Sequence, residues 1–153
     1  MTRFIAVFVS ILSAIIIAFS VHVCFACDWV DRCEPYRDQV LRILEEQDVS
    51  ADYYYLMIAE SRCTPKAQSS TGAQGFWQLL PATAKRYGCS DPHDLECATI
   101  AAAGYIRHLE SMFDSFDDVI IAYNMGGHNY LKRKPTGEAL GLVRKVRGLM
   151  QCR

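Results

Sequence analysis

The apolar positions of the chain recur at helical spacing nearly throughout, and no segment alternates convincingly as a strand. The beginning is different, because from Phe4 to Phe19 only Ser10 and Ser13 interrupt a continuous apolar run. Beyond it, Tyr36, Val40, Leu41 and Leu44 share one face of a helix reaching Gln47, and Pro35 suits its first turn. Ser50 or Asp52 can cap a second helix that runs from Tyr53 to Glu60. That helix is apolar on nearly all sides, so it is expected in the core. A loop from Cys63 to Gly75 follows, then a short helical piece from Phe76 to Leu80, then a helix opened by Pro81 and closed at Gly88. Asp94 is an N-cap for the strongest stripe, formed by Leu95, Ala98, Ala102, Tyr105, Ile106, Leu109, Met112 and Phe113. Asp117 can start a helix with Val119, Ile120, Ile121 and Tyr123 that stops at Gly126-Gly127; Leu142, Val143, Val146, Leu149 and Met150 mark the last one. The expected class is all-α, with room for one minor hairpin in the Cys63–Gly75 loop.

The first apolar run has a separate meaning. A short basic start with Arg3, the run itself and a small residue at Ala26 read as a secretory signal peptide over residues 1–26. The alternative is an uncleaved anchor, since Phe4 to Ala26 exceeds the ~20 residues a spanning helix needs. Either way the remainder, residues 27–153, is expected outside the cytoplasm, in the periplasm or cell envelope or secreted. Its length suits one domain with a single core.

Cysteine usage agrees with export. Without Cys24 the chain keeps Cys27, Cys33, Cys63, Cys89, Cys97 and Cys152, and an even set in an exported chain reads as disulfides. Only one pairing follows from position: Cys89 and Cys97 flank the turn-rich Ser90-Asp91-Pro92-His93-Asp94 and can close it. The cysteine spacings do not fit zinc, and the four histidines are scattered, so no metal or other cofactor is expected.

Charge divides the chain. From Cys27 to Leu131 there are 16 acidic and 8 basic residues, a net of −8. From Lys132 to Arg153 there are 7 basic and 1 acidic, a net of +6. A strongly basic nucleic-acid binder is excluded. The basic tail is expected to pack on the acidic body or face solvent.

The residue that stands out chemically is Glu60. It ends a helix with core composition, and nothing from Tyr53 to Ala59 offers it a cation at helical spacing. A carboxyl in apolar surroundings holds its proton to higher pH, which suits a general acid near neutrality. From spacing alone, a glutamate that simply points into water is the commoner outcome.

The neighbouring sequence changes that balance. Glu60-Ser61, Pro65-x-Ala67-x-Ser69, Gly72-Ala73-Gln74-Gly75-Phe76-Trp77-Gln78-Leu79-Leu80-Pro81 and Ala122-Tyr123-Asn124-Met125-Gly126 together resemble the lytic murein transglycosylase family, with its soluble-transglycosylase, goose-lysozyme-like catalytic domain. Within it the pattern is most similar to the membrane-bound lytic murein transglycosylase D type, in which a Trp-Gln pair precedes the Pro and a Tyr-Gly, here Tyr87-Gly88, closes the next helix. The likeness covers roughly Asp52 to Asn129. It implies a lysozyme-like fold and a peptidoglycan-cleaving enzyme with Glu60 as catalytic acid/base. Ser69, Gly75, Gln78, Tyr123 and Asn124 then correspond to substrate-binding positions. Gly72 and Gly75 would let backbone approach the sugar or Glu60, and Trp77 would either stack on a sugar face or belong to the core.

Two departures matter. Cys63 stands where the family often has an aromatic residue, which suggests a disulfide behind Glu60. Leu80 stands where the family often has Met, a volume-conserving change.

The implied reaction cuts the MurNAc-β-1,4-GlcNAc bond without water, closing a 1,6-anhydro ring on MurNAc. The runner-up is muramidase-type hydrolysis on the same fold, and a third reading is a wall-glycan-binding module without catalysis. The acidic body also suggests a preference for N-deacetylated, cationic glycan. The expected partner is the peptidoglycan glycan strand, with no nucleic acid and no nucleotide, and the expected state is a monomer.

Overall fold

A computed structural model describes residues 27–152, so the expected signal peptide lies outside the described residues. Helix α1 covers residues 27–46. A 3-10 turn, Ala51–Tyr53, leads into α2, Tyr54–Ser61. Then come α3 (Pro81–Arg86), α4 (Leu95–Glu110), α5 (Phe116–Met125), α6 (Gly127–Lys132) and α7 (Gly137–Leu149). The all-α class holds. The minor hairpin shrinks to two isolated antiparallel bridges, Gln68 with Gln74 and Gln74 with Leu79.

Helix α2 sits in the middle because it has no polar side to offer water. Its Leu56, Met57 and Ile58 are fully buried, and it packs on α7, which packs in turn on α5. The caps are those that short polar side chains supply. Ser50 Oγ accepts from Asp52 N–H, Asp94 from Cys97 N–H (2.7 Å), and Thr136 Oγ1 from Ala139 N–H.

Four expectations are corrected. Pro35 does not open α1 but lies inside it, where its missing N–H and its ring disfavour a helix. That segment is fastened from outside by the bridges Cys27–Cys152 and Cys33–Cys63. Phe76 to Leu80 is a tight turn, not a helical piece, because the Gln74–Leu79 bridge closes it. Ser115, not Asp117, caps α5, its Oγ accepting from Asp118 N–H. Gly126-Gly127 ends α5 but also starts α6: Gly126 has φ +82, and a Cβ on Gly127 would meet Leu109 Cδ2 at 2.9 Å.

The expected Cys89–Cys97 bridge forms, and Cys33–Cys63 ties α1 to the residues just after α2. No helix among the described residues is long and apolar enough to cross a membrane.

Candidate active site

The C-terminal end of α2 opens into a cleft of about 440 Å³. Glu60, the last residue but one of that helix, is partly exposed there. Its carboxyl is pushed up to about 7, mainly by burial, with the Glu138 charge adding to the rise and the Lys145 ammonium opposing it.

The chain behind Glu60 is held in a costly conformation. Arg62 and Cys63 both adopt left-handed backbone (φ 52 and 54), which residues with a Cβ avoid. Three contacts hold it there. Arg62 N–H bonds Ile58 O at 2.8 Å, the Arg62 guanidinium lies 4.1 Å from the Trp29 ring centroid, and Cys63 is bonded to Cys33. The exit of α2 is thus fixed by α1, and with it the direction in which Glu60 points.

One wall of the cleft is the loop that follows. Ser69 Oγ accepts from Ala73 N–H at 2.9 Å and shares a hydrogen bond with Thr71 Oγ1; Ser69, Thr71 and Ala73 all line the cleft. Gln78 lines it from a left-handed position (φ 48). Its Nε2 donates to Gly75 O (2.9 Å) and Ala67 O (3.3 Å), which fixes the amide.

The opposite wall comes from α5 to α7 and contains Tyr123, Asn124, Gly126, Asn129 and Glu138. The Tyr123 hydroxyl donates to Trp77 O at 2.8 Å, and its ring packs on Tyr105, which packs on Tyr87. Burial, and then the nearby Glu60 charge, raise the Tyr123 hydroxyl well above its usual range, so it stays a neutral donor.

Five of the six sequence-selected residues, Glu60, Ser69, Gln78, Tyr123 and Asn124, therefore line one cleft. Gly75 does not line it. A Cβ at Gly75 would fall 1.7 Å from Pro92 O, so this glycine admits the Pro92–His93 backbone. Gly72 (φ +86) faces open space. Trp77 is a core residue: it is fully buried, and its Nε1–H donates to Thr99 Oγ1 at 2.9 Å.

Sequence reasoning missed Glu138 and Lys145. Glu138 lies in the first turn of α7, exposed, on the cleft wall. Lys145, two turns further on, donates from Nζ to Ala59 O at 3.4 Å. A Thr three residues before an amide donor marks the start of α7. Spacing along α7 does not say which of its faces meets α2.

This geometry is accompanied by a family match. The family model described as Transglycosylase SLT domain matches residues 45–140, from the end of α1 through the first turn of α7. The chain belongs to the transglycosylase SLT domain family. The chain is 30% identical over 117 residues to the membrane-bound lytic murein transglycosylase D of Escherichia coli, an alignment covering 72% of this chain and 26% of that protein. It is 36% identical over 77 residues to the membrane-bound lytic murein transglycosylase F of Desulfosudis oleivorans, covering 45% of this chain and 17% of the relative. It is also 33% identical over 70 residues to a transglycosylase of Enterobacteria phage PRD1, covering 46% of this chain and 26% of the phage protein. This SLT domain thus corresponds to about a quarter or less of each relative's length, and both Glu60 and Glu138 lie inside the family match.

Proposed function

We propose that this SLT domain is an exported peptidoglycan lytic transglycosylase in which Glu60 is the only general acid and base. The observation that carries the reading is Glu60 itself: a carboxyl whose pKa is raised to about 7, in a cleft lined by Ser69, Gln78, Tyr123 and Asn124. A group protonated near neutrality can give its proton to the bridging oxygen of the MurNAc-β-1,4-GlcNAc bond as C1–O breaks. The carboxylate left behind takes the proton from the C6 hydroxyl of the same MurNAc as O6 attacks C1. The 1,6-anhydro ring closes, the GlcNAc hydroxyl leaves, and Glu60 is protonated again. The internal hydroxyl needs no activated water, because holding both reacting groups in one sugar supplies a very high effective concentration. Around the scissile bond, Ser69 and Asn124 offer neutral polar groups to acetamido and hydroxyl substituents, and the locked amide of Gln78 presents its oxygen.

One observation favours a second reading. Glu138 gives the cleft a second carboxylate, the partner a hydrolase uses to activate water. The product decides between them. Sacculi digested by wild type are expected to yield 1,6-anhydroMurNAc ends in mass spectra, and Glu60→Gln is expected to yield none. Reducing MurNAc ends, one water heavier, would establish hydrolysis. Glu138 is also the carboxylate that a deacetylated, cationic sugar would meet, so relative rates on native and N-deacetylated sacculi read that preference. Three disulfides within one small domain support an oxidising compartment.

A further inference from the structure

The basic tail divides into cations that the fold uses and cations that it leaves alone. Arg147 bonds Asp117 at 2.8 Å and stacks on Phe116, and Lys145 reaches Ala59 O. Lys132, Arg133 and Lys134 are all exposed, and none of them is paired with a carboxylate among the described residues. Lys132 ends α6 beside Leu131, which is 62% exposed, and Arg133 and Lys134 run on with Pro135 in the strap that leads to α7. Both ends of the strap are anchored in the cleft: Asn129 lies three residues before Lys132, and Glu138 four residues after Lys134. Three adjacent positive residues therefore lie in the chain between two residues of a cleft whose own carboxyls are those of Glu60 and Glu138.

This sorting of charge fits a two-part ligand. The glycan of peptidoglycan is neutral where the bond is cut, whereas its stem peptides carry carboxylates. An anionic stem is repelled from a cleft holding Glu138 and attracted by these cations. Resting on the transglycosylase reading, we infer that Lys132, Arg133 and Lys134 form a subsite for the stem-peptide carboxylates of the strand held in the cleft. The long, flexible side chains suit carboxylates at variable positions along a stem.

The test compares the wild type with a triple variant, Lys132→Gln, Arg133→Gln and Lys134→Gln, on two substrates. One is intact sacculi, and the other is the same sacculi with their stem-peptide carboxylates converted to neutral amides. All three positions are exposed, so an unchanged thermal midpoint verifies the fold. The variant is expected to lose about tenfold in kcat/KM on intact sacculi at low salt, through KM, with the difference closing at about 0.5 M salt. On the amidated sacculi the two proteins should be equal. An equal loss on both substrates, or no loss on intact sacculi, overturns the subsite. So does a variant that cleaves both like wild type but no longer binds anionic lipid vesicles, which would assign the strap to headgroups. Co-sedimentation of both proteins in a Glu60→Gln background reads the same contact without turnover. A catalytically silent wild type would then remove the transglycosylase reading, while a difference in binding that depends on the stem carboxylates would keep the subsite.

Discussion

The two carboxyls of the cleft occupy opposite ends of opposite kinds of helix. Glu60 closes α2, whose residues are nearly all buried, and the chain beyond it is pinned by a disulfide, a cation–π contact and left-handed backbone. Glu138 opens α7, a helix with one apolar face, and stands exposed beside a strap with no such fastening. The same side chain therefore carries different chemistry in the two places. Dehydration pushes the Glu60 carboxyl up to about 7, which suits the proton donor proposed above. Glu138 contributes a field and a surface. The lesson is that position along a helix, and what the helix buries, gives two glutamates in one cleft different surroundings.

The sharpest way to break this comparison is to neutralise each carboxyl in turn. Glu60→Gln is expected to lower turnover of sacculi by about a thousandfold, within the range for a lost general acid. Glu138→Gln should retain most activity, measured as released soluble muropeptide. Comparable losses in the two variants would mean that both carboxyls act in the chemistry, as hydrolysis requires.

The rigidity of the Glu60 wall can be tested through its glycines. Gly75→Ala should cost about 3 kcal/mol in denaturant melts, because the added methyl overlaps the Pro92 carbonyl at a positive φ. Gly72→Ala, with open space around it, should cost about 1 kcal/mol from its backbone alone.

A third test reads the effect of Glu60 on stability against pH. Glu60 binds its proton more tightly folded than unfolded, so the folded state holds the extra proton between about pH 4.5 and 7. Its contribution is complete below pH 4.5 and is lost as pH rises through about 7, amounting to at most about 3 kcal/mol. The Glu60→Gln stability curve should be flatter by that amount over the same interval, and an unchanged slope would place the titration elsewhere.

The smallest effect separates the two α7 residues that face Glu60. Lys145→Met should move the alkaline limb of the kcat/KM profile upward, and Glu138→Gln should move it downward. Shifts in the same direction would contradict their opposite charges.

The α5 part of the cleft was legible in the sequence along with the loop wall, and the α7 part was not. The apolar run from Tyr53 to Ala59 gives α2 its burial, and the motif blocks bring Ser69, Gln78, Tyr123 and Asn124 together with Glu60. Cys89–Cys97 was legible because its loop is local; Cys33–Cys63 depends on how α1 crosses α2, which no local pattern encodes. Glu138 and Lys145 escaped for the same reason, since helical spacing orders residues on α7 without saying what that helix packs against. Trp77 was ambiguous because aromatic rings serve cores and sugars alike, and Thr99, which takes its N–H, lies 22 positions away. Pro35 misled because a local preference yielded to bridges formed far along the chain.

The bridge between Cys27 and Cys152 spans 125 positions and makes the domain a covalent ring. A protease that cuts a ring once opens it but releases nothing. A single nick anywhere between those cysteines, including one in the exposed strap, leaves every residue of both cleft walls attached to the others. In an environment rich in proteases the domain therefore tolerates damage that would divide a linear chain. Nicked protein should run as one band without reductant and as two with it.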